Sequence, residues 1–359
     1  MYQPPGGGPG TPETPFSDGA SLGCGPSYLE RERRPSPGLP PEFPEVTVSG
    51  PAAPDFIRYL AAKKGLDDRS LNRRVWDHLA RAVRDRPDPA PLRVLEVGCG
   101  IGTMVERLLD RGLLTRAAYT GIDVEPEFIR AATERLRSYA AARHVLLAEE
   151  SGGVLLFSTP GQEVRITLEV ADLFDFLGHE PGKSAWDLLV AHAVLDLIDL
   201  PTALPRLLAH LSPGGLFYFS LNFDGATTFE PPIDPDLDAL IEALYHRTMD
   251  TRSRQGQPSG SSLTGRRLFG RLKEAGARVV AAGSSDWVVF PGPDGYSGDE
   301  AYFLHFIIDT ISRALHGHPE LAGSGFQAWV ARRHRQIESA ELTYIAHQLD
   351  FLGLKNLKQ

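Results

Sequence analysis

The stretch Val94-Leu95-Glu96-Val97-Gly98-Cys99-Gly100-Ile101-Gly102-Thr103 constrains this chain more than any other. An apolar run passes directly into glycines at every second position, and an amphipathic segment carrying Met104, Val105, Leu108 and Leu109 follows. That order reads as a buried strand, a tight turn and the start of a helix. Glycines let the backbone approach a ligand where any Cβ would clash. The new helix turns its free N–H groups toward that ligand. In an open α/β sheet, the crevice beyond the carboxyl end of the first strand is where a nucleotide-like cofactor sits.

The dinucleotide-binding fingerprint is G-x-G-x-x-G. Here the spacing is Gly98-x-Gly100-x-Gly102, with Thr103 where the third dinucleotide glycine would fall and Glu96 two residues before the first glycine. This acid-x-G-x-G-x-G pattern resembles the first motif of class I S-adenosylmethionine (SAM)-dependent methyltransferases, of the small-molecule, type 11/12-like kind. The rest of the chain agrees in order. Residues 118–124 read as a second strand ending in Asp123 and Val124, and 164–170 as a third, followed by Ala171-Asp172-Leu173. Residues 186–191 read as a fourth strand running into His192 and Asp196, and Leu207 to Ser220 as a helix end, a Pro-Gly-Gly turn and a fifth strand. Gly265 to Ala275 reads as a helix, and 277–282 with 287–290 as a closing antiparallel pair. The resemblance covers roughly residues 90–292.

It implies a Rossmann-like, doubly wound α/β fold with a seven-stranded, mostly parallel sheet whose last strand is antiparallel. The implied cofactor is SAM. Its contacts would come from Glu96 at the ammonium end, from Gly98, Gly100 and Gly102, and from Asp123 with Val124 at the ribose. Asp172 with Leu173 would sit at the adenine amino group, with Asp175 as the nearest competitor. A carboxylate about twenty residues past the loop can accept both ribose hydroxyls. His192 is a candidate general base because it titrates near neutrality, and equally a wall of the cofactor site. Four residues on, Asp196 would share a face with it on one helical turn and is a second candidate, structural or substrate-orienting. No metal is implied.

Around that domain (91–292) the composition changes. Residues 1–50 are rich in Pro and Gly and read as a disordered tail, with a charged cluster from Glu30 to Arg34. Residues 54–90 read as a helical cap: a short helix with Phe56, Leu60 and Ala61, a break at Gly65–Arg69, then a longer helix from Ser70 to Val83, capped by Ser70 or Asp68. Tyr59, Asn72 and Arg73 are placed to reach the SAM amino-acid end. Residues 143–163 lead into a hairpin. The segment 223–262 reads as an insertion with a helix near Asp236–Asp250 and a mobile Gly/Ser stretch after it. Residues 298–352 read as a helical extension of two helices, near Asp299–Leu315 and Gly325–Leu352. Tyr245-His246-Arg247, Ser284–Trp287 and Tyr302/His305/Phe306 are further candidates, with a solvated face, a turn and core packing as their plainer readings.

The net charge of −9 does not favour nucleic acid. Two cysteines, Cys24 and Cys99, cannot form a disulfide framework, and no apolar run reaches membrane-spanning length. A soluble, cytoplasmic protein is the expectation, and the oligomeric state is left open. The window after the fourth strand, Ala191-His192-Ala193-Val194, lacks the proline and aromatic of amino-directed nucleic-acid methyltransferases. No cysteine is placed for cytosine-C5 attack, no paired glutamates suit a guanidinium, and Asp196, Asn222 and Asp224 fit a divalent-metal catechol site only loosely. The reading reached is in-line transfer of a methyl group to a small-molecule acceptor. Alternatives are an RNA or protein methyltransferase docking through the inserted helices, a SAM-fold scaffold without activity, and a nicotinamide-dependent oxidoreductase.

Overall fold

In the computed structural model, residues 53–178, 186–254 and 257–356 are described. The expected disordered tail and its Glu30–Arg34 cluster lie outside them. A ten-stranded sheet runs in the order β10-β12-β7-β6-β1-β2-β5-β4-β3, with β11 paired to β12. Its strands are β1 (Leu92–Val97), β2 (Arg116–Asp123), β3 (Leu146–Glu150), β4 (Val154–Thr159), β5 (Gln162–Val170), β6 (Trp186–His192), β7 (Leu211–Glu230), β10 (Ala277–Ser284), β11 (Trp287–Val289) and β12 (Thr343–Lys355); β8 (Ser253–Arg254) and β9 (Gln257–Pro258) form a separate small ribbon. The helices are α1 (Ala53–Ala62), α2 (Lys64–Ser70), α3 (Arg73–Arg84), α4 (Thr103–Asp110), α5 (Pro126–Ala142), α6 (Leu173–Gly178), α7 (Leu200–Ala209), α8 (Pro235–Asp250), α9 (Thr264–Glu274), α10 (Glu300–Ala314) and α11 (Phe326–Glu338).

The five strands β7, β6, β1, β2 and β5 are mutually parallel. Such strands are covered on both faces, so they read as continuous apolar runs rather than as alternation. β1 fits: Leu92, Val94, Leu95 and Val97 are all buried. Val94 faces α3, α4 and α5 through Val75, Trp76, Leu79, Met104, Leu108 and Leu136. Leu95 and Val97 face the opposite layer of α6, α7 and α9 through Leu177, Leu204, Leu207 and Leu268. β1 therefore sits between two helical layers at the point where strand order reverses, the crevice position of doubly wound sheets.

The run β5-β2-β1-β6-β7-β12-β10 has the expected number of strands, seven, but its antiparallel member is β12, from a segment expected to be helical, and not the strand expected at 287–290. Residues 277–284 and 287–289 do not pair with each other. Each pairs with β12, Ala277 opposite Lys355 and Trp287 opposite Ala346. The helix expected over 325–352 stops at Glu338, and Ala340 takes φ 53° before β12 begins. Residues 343–355 thus close the sheet, antiparallel to β7. The intervening β11, α10 and α11 interrupt the sheet between β10 and β12, rather than extending it as a helical tail. β12 escapes a reading by periodicity because its buried positions include Gln348 and Asp350, which blur the apolar alternation that marks a strand.

Smaller corrections concern the cap. The expected break at 65–69 is itself α2, and α3 is capped by Asn72, whose Oδ1 accepts from Val75 N at 3.1 Å. A third core joins α1, α2, α8, α10 and α11 to the far ends of β7 and β12 through Tyr59, Leu66, Ile241, Phe303, Ile308, Trp329 and Tyr344. Hairpin β4–β5 pairs Thr159 with Gln162. No helix among the described residues is long and apolar enough to cross a membrane.

Candidate functional site

The turn after β1 places Gly98, Gly100 and Gly102 at φ 65°, 53° and 75°. The first of these is also a close approach, since a Cβ on Gly98 would stand 2.6 Å from Val194 Cγ2. Only glycine meets both conditions. Gly102 leads into α4. Gly100 N donates to Asp123 Oδ2 at 2.9 Å, and Glu125 N donates to Oδ1 at 3.1 Å. The glycine loop and the end of β2 are thereby held together, with Asp123 and Val124 on the wall of a cavity of about 710 Å³. Small-molecule sites occupy roughly 300–1,000 Å³.

Glu96, Gly98, Gly100, Asp123, Val124, Asp172, Leu173, His192 and Asp196 all line this one cavity; Gly102 does not, and lies behind it at the helix start. Glu96 is 1 % exposed, accepts a hydrogen bond from the Tyr119 hydroxyl, and is pushed up to about 8 by burial. Burial also raises Asp123 above the ordinary carboxylate range. Asp172 accepts from Phe174 N at 2.8 Å at the start of α6, which fixes its carboxylate beside Leu173.

His192 and Asp196 do not share a helical turn. His192 ends β6, and Asp196 lies in a short 3-10 turn, Leu195–Leu197. Both ring nitrogens of His192 face protein groups: Nδ1 is 2.8 Å from Ser220 Oγ, and Nε2 is 3.1 Å from Arg107 Nη1 and 3.3 Å from Asp67 Oδ2. Arginine only donates and a carboxylate only accepts, so in the neutral ring Nε2 can bond one of them but not both, and in either tautomer the lone pair faces a protein donor, Arg107 or Ser220. Burial, then the Arg107 charge, lowers His192 to about 4. Its lone pair is already engaged. Asp196 differs: its Oδ1 is buried without a hydrogen-bond partner, and burial raises its pKa.

A buried charged group was not legible in the sequence. Asp67 of α2 accepts from Lys63 Nζ at 2.9 Å and from Trp287 Nε1 at 2.9 Å, and Arg107 Nη2 stands 3.4 Å away. Lys63, His192 and Trp287 reach the cavity wall. Four segments far apart in the chain meet here, and no local pattern signals such a meeting. Other candidates find ordinary partners. Asn72 Nδ2 donates to Ser284 O, and Arg73 lies outside the cavity wall. Tyr302 donates to Asp55 O, His305 pairs with His334, His246 with Thr227 and Arg247 with Glu320. Asp286 faces His347. Tyr59, Tyr245, Trp287 and Phe306 do line the cavity, as do Tyr344, Ala346 and Gln348 of β12. Asp224 pairs with Arg266 and Asn222 donates to Leu349 O, so neither joins Asp196 at the wall. Among the described residues no group of three or more His, Cys, Asp or Glu is arranged to hold a metal.

Comparison with known proteins gives a consistent result. Residues 95–217 match the family model described as a methyltransferase domain. The chain is 32% identical over 142 residues to a ubiquinone biosynthesis O-methyltransferase of Xanthomonas axonopodis pv. citri, covering 39% of this chain and 47% of that protein. A Mycobacterium tuberculosis protein named as a methyltransferase is 41% identical over 58 residues, 16% of this chain and 34% of that one. The chain spans about half the length of the first of these relatives. Among solved structures, phosphoethanolamine N-methyltransferase 2 of Haemonchus contortus aligns at 14% identity and a TM-score of 0.37, over 79% of this chain and 53% of that one. The loop that opens the cavity, together with Glu96, Asp123 and His192, falls within residues 95–217, the part of the chain that matches the methyltransferase domain model.

Proposed function

We propose that the protein transfers the methyl group of SAM to a small-molecule acceptor held in the same cavity. One observation carries the reading. The glycine loop and Asp123, at the sheet's reversal point, open into a single cavity whose far walls come from α1, α8, α10 and β12. Donor and acceptor ends share one enclosure, as an in-line displacement requires. SAM supplies an activated methyl group on a sulfonium; the methyl passes to the acceptor and the C–S bonding pair stays on sulfur.

The residues fit such a group. The absent Cβ atoms at Gly98 and Gly100 leave room for backbone approach. Both carboxylate oxygens of Asp123 are fixed by backbone donors and remain able to accept from a ribose. Asp172 and Leu173 stand beside them for the adenine, and Glu96 lies deeper, for the ammonium end. His192, engaged on both nitrogens, serves as a wall that positions the donor.

Calorimetric titration with SAM, S-adenosylhomocysteine and NAD tests the reading. Micromolar binding of the first two and none of NAD is expected. Asp123→Ala, which removes a carboxylate accepting from charged or hydroxyl donors at about 1.5–3 kcal/mol, should weaken SAM binding about 10- to 100-fold. Unchanged affinity in that variant would refute the ribose assignment, and binding of NAD alone would refute the function.

A further inference from the structure

The part of the cavity beyond the glycine loop carries polar groups that no protein atom satisfies. Tyr59 on α1 is 9 % exposed, and Tyr344 and Gln348 on β12 are 5 % and 2 % exposed; Tyr245 on α8 is half-buried. All four line the cavity. Tyr344, Ala346 and Gln348 of β12 all line the cavity, on either side of a register shift between 346 and 348. Burial raises all three phenols; Tyr344 and Tyr245 lie near enough to raise Tyr59 further, Tyr245 raises Tyr344, and Tyr59 and Tyr245 also feel Asp196. Among the described residues no hydrogen bond reaches these hydroxyls or the Gln348 carboxamide. Asp196 Oδ1 is likewise without a partner.

Buried polar groups are almost always bonded, and tyrosine hydroxyls in particular find partners when buried. Of the groups named here Asp196 Oδ1 is the fully buried one without a partner, while the three tyrosines and Gln348 line the cavity beside it; together they offer polar atoms to a ligand in this space. The surroundings narrow its chemistry. Phe223, Met249, Phe306 and Ile307 make the rest of the wall apolar. Arg252 and Lys63 both line the cavity and lower the pKa of Asp196 against the effect of burial, and the positive charge of the donor opposes a cationic acceptor. Hydroxyls and a carboxamide donate and accept at once, which suits a neutral oxygen group. A phenol, with a pKa near that of tyrosine at about 10, gives up its proton to a carboxylate far more readily than an alcohol does.

Resting on the methyltransferase reading, we propose that Tyr59, Tyr245, Tyr344 and Gln348 recognise an uncharged, largely apolar acceptor bearing an aromatic hydroxyl, and that Asp196 receives its proton. The phenolic O–H bond breaks to the Asp196 carboxylate, the oxygen forms a bond to the methyl carbon, and the C–S pair returns to sulfur, giving a methyl ether and S-adenosylhomocysteine. Asp196 then passes the proton to water.

Matched probes that differ only in the acceptor atom test this: 2-naphthol against 2-naphthylamine, and catechol against ortho-phenylenediamine. S-Adenosylhomocysteine binding is measured first, then binding of each probe to that complex, then methylated product by mass. The hydroxyl member of each pair should be methylated at least tenfold faster. Tyr344→Phe and Gln348→Leu should raise KM for the naphthol about tenfold and leave S-adenosylhomocysteine affinity within twofold, which also reports that they fold. Asp196→Asn should lower kcat by about 10²-fold or more and flatten its rise with pH. Faster methylation of the amines, failure of every probe to bind the complex, or unchanged KM in both wall variants would overturn the proposal while leaving the cofactor reading intact. Failure of S-adenosylhomocysteine itself to bind would remove that reading and this proposal with it.

Discussion

Glu96 shows how one buried acid sets a pH dependence. It sits on a central strand with the Tyr119 hydroxyl as its hydrogen-bond donor, and burial raises its pKa to about 8. Its folded pKa is above that of the unfolded chain, so its contribution to stability is complete below the ordinary carboxylate range and is lost as pH rises through about 8. The melting temperature of the free protein should therefore fall between pH 6 and 9, and Glu96→Gln should fall less over the same interval in thermal unfolding scans. If the ammonium end of SAM meets Glu96, that cation favours the ionised form. Binding at pH 7 should then release a proton, seen as a dependence of the calorimetric heat on buffer ionisation enthalpy; a heat independent of buffer would argue against the contact. Asp67 has the opposite sign. Despite burial, Lys63, His192 and Arg107 hold it well below the usual carboxylate range, so its contribution is present at neutral pH and lost in strong acid. Truncating a buried, paired charge costs about 3–5 kcal/mol. Asp67→Ala should lose about that much in denaturant unfolding at pH 7 and weaken SAM binding as well, because Lys63 and His192 lose their anchor. A loss of stability with unchanged SAM affinity would restrict Asp67 to a purely structural role.

At the scale of elements, legibility followed the locality of the signal. The glycine loop, the acids at the strand ends and the helix α9 are each written within about ten consecutive residues, and the turn after β1, the end of β2 at Asp123 and the helix over 264–274 form at the expected places in the chain. β12 is the failure. Its position between β7 and β10 is set by pairing with strands more than sixty residues away in sequence on either side, and its buried Gln348 and Asp350 spoil the alternation. Asp350 is buried because it works as a joint, accepting from Leu221 N and Asn72 N at 2.8 Å each. Propensity and period carry no information about such long-range partners. The same limit hid part of the proposed acceptor wall: Tyr59 and Tyr245 stand out in the sequence as candidates, whereas Tyr344 and Gln348 of β12 do not, and the four meet at one cavity only after folding.

For the whole molecule, three apolar cores divide the labour. Two sandwich the sheet and belong to the cofactor-binding fold, while the third knits the N-terminal cap, α8, α10 and α11 over the open end of the strands. The cavity lies where the third core meets the sheet, with Tyr59, Phe306 and Tyr344 shared between them. The glycine-loop half of the cavity is thus built from local motifs, and the far half, where we propose the acceptor binds, from insertions that fold over it. This is why the sequence speaks clearly of the donor and leaves the acceptor to the geometry of side chains brought from distant segments.

The late arrival of β12 has a consequence for synthesis. While residues 343–355 are still inside the ribosome, β7 and β10 have been made but have no neighbour between them. Each presents a bare row of backbone donors and acceptors, the kind of edge that recruits strands from other chains. The sheet is complete only when β12 takes its place between β7 and β10. A chain ended at residue 342 would lack that strand permanently. It should be recovered as aggregate on expression, and a synthetic peptide spanning 343–355, supplied during refolding, should restore part of the soluble yield; a soluble, SAM-binding truncation would show that the gap can be tolerated.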